Sequence, residues 1–147
     1  MGKLLAIARH AQPRAPMELL SSVAIAIDSG LDGDARGVRE GSNVVVVHEA
    51  GWRDACEQLG KEPPWTTRRG NLLVDGESLY GTAGKYLQVG GVVLKINGEC
   101  QPCQVMDAQV PGLRSALNHE WRAGVECTVI RAGQVSVGDI VTVTVDP

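Results

Sequence analysis

Phenylalanine is absent from the 147 residues, and aromatic side chains of all kinds make up only 3%. Val, Ile, Leu and Ala must therefore fill any core, and the 44% apolar content is enough for one. No apolar run approaches the roughly 18 residues that a membrane span requires. The opening stretch Met1-Gly2-Lys3-Leu4-Leu5-Ala6-Ile7-Ala8-Arg9-His10 has too short an apolar run for a secretion signal, with no small-residue cleavage site before the charges resume. Excess positive charge is missing too. A net charge of −3 and a pI near 5.6 argue against a general nucleic-acid surface, because phosphate binding needs clustered Lys and Arg. Four cysteines without a signal peptide fit a reducing compartment better than a disulfide scaffold, so the expected location is cytoplasmic. Neither nucleic acid nor membrane is an expected partner.

The length suits one domain, residues 1–147, with no linker or repeat to divide it. Lys3 to His10 reads as a first strand with Leu4, Ala6 and Ala8 on one face and Leu5 and Ile7 on the other. Val23 to Asp28 is a second. Asn43 to Glu49, with its four valines, is a buried strand. Residues 51–60 change period: Trp52, Ala55, Cys56 and Leu59 share one face of a helix that Gly60 ends, which makes Cys56 a small core residue. Strands follow at Leu72 to Val74, Val92 to Asn97, Glu126 to Ile130 and Val141 to Val145, with a short helix from Leu113 to about Glu120. The regular strand-helix alternation of a parallel sheet is missing. The expected fold is mainly β: an antiparallel β-barrel of about seven or eight strands with two or more short helices, since closure hides sheet edges.

The chain's most chemical stretch is Cys100-Gln101-Pro102-Cys103, a turn directly after a strand. Proline fixes one backbone angle and removes an N–H, so two sulfurs can face one small volume. Thiolate is a ligand for soft metals and a nucleophile, once its pKa falls or a metal replaces the proton. Cys103, and secondarily Cys100, is the candidate. Zinc would need two more ligands, and Cys56, Cys127, His10, His48 and His119 are scattered. A thioredoxin-like couple would sit at a helix start in a βαβ unit. Two further groups of residues are notable. Gly30-Leu31-Asp32-Gly33-Asp34-Ala35-Arg36-Gly37 packs three glycines and two aspartates into eight positions, an ordered loop needing positive backbone angles. Arg69 and Asn71 lie two apart at the mouth of a strand, so both can point one way and clamp a phosphate or polar ring.

In order, Gly30 to Ala35, Arg69-Gly70-Asn71-Leu72-Leu73-Val74, Gly91 to Lys95, Cys100-Gln101-Pro102-Cys103, Pro111 to Leu117, Arg122-Ala123-Gly124-Val125 and Gly138-Asp139-Ile140-Val141 resemble the MOSC domain, named for the C-terminal part of molybdenum cofactor sulfurase. The resemblance covers nearly the whole chain. It implies a β-barrel whose cysteine handles the molybdenum-pterin cofactor or the sulfur destined for it. In the family's amidoxime-reducing branch the cysteine of this turn is a thiolate ligand to molybdenum, which carries over to Cys103. The Arg-x-Asn element of the cofactor pocket carries over to Arg69 and Asn71, and the loop of Gly33, Asp34 and Arg36 would line the pterin and phosphate. Where small bacterial relatives often have a histidine after Gly-Asp, this chain has Ala35-Arg36. Pyridoxal phosphate belongs to longer fusions and is not expected here.

Three functions are consistent with these residues. The first is a cofactor-binding domain with Cys103 on molybdenum, reducing small N-oxygenated substrates with a redox partner. The second is a sulfur carrier that takes a persulfide on Cys103 from a cysteine desulfurase, assisted by Cys100. The third is a binding module without turnover. The first two would make the chain an oxidoreductase or a sulfur transferase, and only the third survives loss of Cys103.

Overall fold

The computed structural model describes residues 1–35, 42–102 and 104–147, with no side-chain description for Gln104 and Val105. The roles expected of Arg36 and Cys103 lie outside the described residues. Eleven strands, three α-helices and a short 3-10 helix are seen among them. Seven strands close a barrel in the order β11 (Ile140–Thr144), β7 (Tyr86–Val89), β8 (Val92–Glu99), β9 (Val125–Arg131), β5 (Val44–His48), β6 (Leu72–Val74) and β1 (Gly2–Arg9). Closure comes from β1 on β11, where Gly2 faces Val141 and Lys3 faces Ile140. The far half of β1 carries β2 (Glu18–Leu20). β10 (Gly133–Ser136), β3 (Ser22–Ala26) and β4 (Gly30–Leu31) form a separate three-stranded sheet.

The barrel with short helices agrees with the expectation, but its pairing is mixed. β5 and β6 are parallel, with Val46 opposite Leu72 and His48 opposite Val74. A parallel pair needs a crossover long enough to return the chain to the same end, and helix α1 (Glu49–Leu59) is part of it. α1 buries Trp52, Ala55 and Cys56, the stripe expected from the sequence.

That helix explains why β5 shows no alternation. Val44 and Val46 belong to the barrel interior with Leu72, Val74, Leu94 and Ile96. Val45 and Val47 face an outer apolar layer with Trp52, Cys56, Leu113 and Leu117. A strand covered on both faces has no reason to carry polar residues at every second position. The outer layer is completed by α2 (Gln104–Gln109) and α3 (Leu113–Leu117), of which α3 is shorter than its sequence pattern suggests.

β1 departs from simple alternation. Leu4 and Ile7 both join the interior, three residues apart, because the register against β6 shifts between Leu4 and Ala6. An extra residue in one strand turns every later side chain to the other face. Leu5 and Ala6 therefore pack against the outer layer instead.

Candidate functional site

The cysteine turn leaves β8 where Glu99 faces Val125. The Cys100 N–H donates to the Gly124 carbonyl at 2.9 Å. Gly124 has φ 99°, and a Cβ there would lie 2.3 Å from the Val46 carbonyl oxygen, so only glycine fits between the turn and β5. These constraints hold Cys100 in the outer layer, 5% exposed.

Against it lies Arg68, the last residue of the 3-10 helix Trp65–Arg68 and also 5% exposed. Its Nη2 donates to Cys100 Sγ at 2.6 Å and its Nε to the Ala123 carbonyl at 2.8 Å. Residues i and i+3 of a 3-10 helix eclipse one another. Trp65 and Arg68 are so spaced, and Trp65 packs against the same layer. Arg68 is thus carried inward by its helix.

The pair Arg69 and Asn71 does not share a strand face, because β6 begins only at Leu72. Arg69 caps the 3-10 helix with φ 63° and reaches the Ala15 carbonyl through Nη2 at 2.6 Å. Asn71 is fully buried. Its Oδ1 accepts from the Val45 N–H at 2.9 Å, while Nδ2 donates to the Ala8 carbonyl at 3.3 Å and to Asp34 Oδ2 at 3.2 Å. One carboxamide therefore ties β1, β5 and the Gly33-Asp34 loop together.

Asp34 also accepts from the His10 N–H at 3.1 Å, and its Oδ1 lies 3.5 Å from His10 Nδ1. His10, just past the end of β1, thus lies against the Gly33-Asp34 loop. Gly33 has φ 76°, and a Cβ there would come 2.9 Å from Arg9 Nη1. The expected residues fall into two groups: Gly33, Asp34 and Asn71 with His10, and Cys100 with Arg68. The segment 68–71 links them.

Arg68 is not among the residues singled out from sequence, and His10 is named there only as one of the scattered histidines. The sequence points to Arg69, two residues before Asn71, while the inward turn of Arg68 comes from the 3-10 helix that starts after Pro64. His10 carries no spacing signal toward Asp34, since the two meet only through tertiary structure.

The other thiols are different. Burial, then the charges of Cys100 and Glu126, pushes the Cys127 thiol well above its ordinary range. Cys56 is raised by burial and then by Glu62. It borders a cleft of about 930 Å³ with Trp52, Arg53 and Lys61, which none of the expected site residues among the described ones lines. Among the described residues no three His, Cys, Asp or Glu side chains cluster to hold a metal, and no helix is long and apolar enough to cross a membrane.

Comparison with known proteins follows the same outline. No curated protein matches the sequence. Among solved structures, the YuaD protein of Bacillus subtilis superposes with a TM-score of 0.78 at 21% identity, covering 97% of this chain and 96% of that one. YiiM from Geobacillus stearothermophilus gives 0.76 at 14% identity over 98% of this chain and 75% of that one. YiiM from Escherichia coli gives 0.68 at 14% identity, over 97% and 73%. At such identities these likenesses establish the barrel. The MOSC domain model matches residues 33–142, which include the Gly33-Asp34 loop, Arg68 to Asn71 and the cysteine turn. The chain therefore belongs to the MOSC domain family.

Proposed function

We propose that this MOSC domain binds a molybdenum-pterin cofactor and that Cys103 is its thiolate ligand to molybdenum. The observation that carries the reading is the guanidinium of Arg68 at 2.6 Å from Cys100 Sγ, three residues before Cys103. A thiolate and an anionic cofactor both need positive charge where they are held. Arg68 and Arg69 supply two guanidiniums from consecutive positions. The donor set fits such a group in kind, because one soft sulfur is enough when the metal's other ligands arrive with the cofactor.

Arg69 and Arg36 would face the cofactor's phosphate. Gly33, Asp34 and Asn71 would act at one remove, since the Asn71 carboxamide is spent on Val45, Ala8 and Asp34 and so fixes the loop. When bound, the cofactor would supply the redox chemistry for a small N-oxygenated substrate, with electrons from a separate redox partner. The protein would orient the cofactor and set its field.

Metal and pterin analysis of the full chain, wild type beside Cys103→Ser, tests this. Molybdenum and pterin are expected with the first, with molybdenum lost or strongly reduced in the second. A wild-type protein that neither carries the cofactor nor takes it up when it is offered overturns the reading.

The same guanidinium favours a second reading, a persulfide carrier acting through Cys103 with Cys100 assisting, because positive charge also makes a thiol nucleophilic. Mass spectrometry after incubation with a cysteine desulfurase and cysteine separates the two. A carrier gains one sulfur on Cys103, and a metal ligand alone gains none.

A further inference from the structure

Among the described residues, Arg68 is a buried cation with no carboxylate in ion-pair contact. Its guanidinium stays protonated at any ordinary pH, and a buried charge left without an anion costs several kcal/mol. The ion pairs among the described residues lie elsewhere: Arg9 with Glu18, Arg53 with Glu49, His10 with Asp34 and the N-terminal amine with Glu77. Among the described residues, the acidic group that touches Arg68 is Cys100.

We propose that Cys100 rests as a thiolate, ion-paired with Arg68 inside the outer layer, and that Arg68 is the residue that fixes both the charge and the position of the cysteine turn. The proposal goes beyond the functional reading above and stands whether the turn serves molybdenum or sulfur.

Among the described residues, charges of both signs lie on the elements around Cys100. On β9, Cys127 and the half-buried Glu126 carry or would carry negative charge and oppose ionisation of Cys100. Glu99 on β8 has the same sign. On α2, Asp107 is exposed and accepts from the Arg114 N–H. Cys56 on α1 is kept neutral by its own burial and by Glu62. Against these stands a guanidinium in direct hydrogen-bond contact, where low dielectric strengthens attraction most. An adjacent fixed cation lowers an acid's pKa by about 1–3 units, and any shift above about 1.5 units brings an ordinary thiol near 8.5 below neutrality.

Position follows from the same contacts. Arg68 Nε holds the Ala123 carbonyl, and the Gly124 carbonyl holds the Cys100 N–H. Cation, sulfur and the 123–124 turn thus form one closed set. Cys100 is then the charge partner of the turn, whichever chemistry Cys103 serves.

Thiolate absorbance near 240 nm tests the proposal directly on the reduced full chain between pH 5 and 9. The wild-type spectrum minus that of Cys100→Ser should show one thiolate at pH 7, where an ordinary thiol would be about thirty-fold less ionised than not. Arg68→Lys keeps the charge but loses the two-nitrogen fork, and should move the transition to higher pH by half a unit or more. Arg68→Met should move it further. A difference spectrum that stays flat until above pH 8 overturns the thiolate, and a transition unmoved in Arg68→Lys overturns the role of Arg68. If Cys100→Ser does not fold, a chain with Cys56, Cys103 and Cys127 replaced by Ala gives the same reading from Cys100 alone. No molybdenum is measured, so failure here is distinct from failure of the cofactor assignment.

Discussion

Cys127 and Cys100 lie on opposite sides of one barrel wall, the first in the interior with Val44, Leu94 and Ile96, the second in the layer beneath the helices with Val45, Leu73 and Leu113. Both are almost fully covered, at 0% and 5% exposure. Around Cys127 there is mainly aliphatic packing, and enclosure drives its thiol toward the neutral form. Around Cys100 there is one guanidinium. Enclosure alone therefore does not decide the state of a sulfur. The interior serves stability, and the outer layer, equally dry, has room for a charge and hence for chemistry.

The largest expected effect comes from the residue that separates the two regions. Gly124→Val would force a side chain against the Val46 carbonyl from a left-handed backbone. The expected loss exceeds about 3 kcal/mol, or roughly 10 °C in Tm for a domain of this size. Thermal unfolding measures it, and an unchanged Tm would mean that the wall tolerates slack where the comparison requires close contact.

A smaller effect separates the two sulfurs by pH. The Cys127 thiol binds its proton more tightly folded than unfolded, so the native state holds more protons above the ordinary thiol range near 8.5. Stability then falls as pH rises beyond about 9, by up to ~1.4 kcal/mol per unit for this group, and is unaffected by it below. Denaturant midpoints for Cys127→Ala should decline less steeply over the same alkaline range. Equal slopes would erase the contrast between the two sides.

The smallest effect is expected at Glu49, whose carboxylate meets Arg53 at 3.1 Å one turn along α1. Glu49→Gln should change stability by no more than about 0.5 kcal/mol, because this pair remains in contact with water. A loss of several kcal/mol in urea unfolding would mean that surface and buried guanidiniums are not as unlike as Arg53 and Arg68 suggest.

Much of the barrel was legible because strand patterns are local. The α1 stripe of Trp52, Ala55 and Cys56 and the core positions of β8 were readable from spacing alone. The parallel pairing of β5 with β6 was not, although both strands and the helix between them were recognised, because the pattern of one strand does not name its neighbour. The facing of Leu4 and Ile7 failed for a different reason: a single bulge reverses parity without leaving a mark in composition. At the site, the cysteine turn and the Gly33-Asp34 loop stood out by residue type. Arg68 did not, since its burial depends on a 3-10 helix of four residues too short to show a period. Asn71 stood out as a clamp for a ligand, and its contacts to Val45, Ala8 and Asp34 were not legible because they join segments distant in sequence.

The pairing of Gly2 with Val141 has a kinetic meaning. It joins residues almost as far apart along the chain as the sequence allows, so the ring of strands cannot be completed by neighbours zipping up in turn. Refolding should be slow for a protein of this size, in the millisecond-to-second range of topologies dominated by distant contacts, and until the seam meets, β1 and β11 each present an unsatisfied edge.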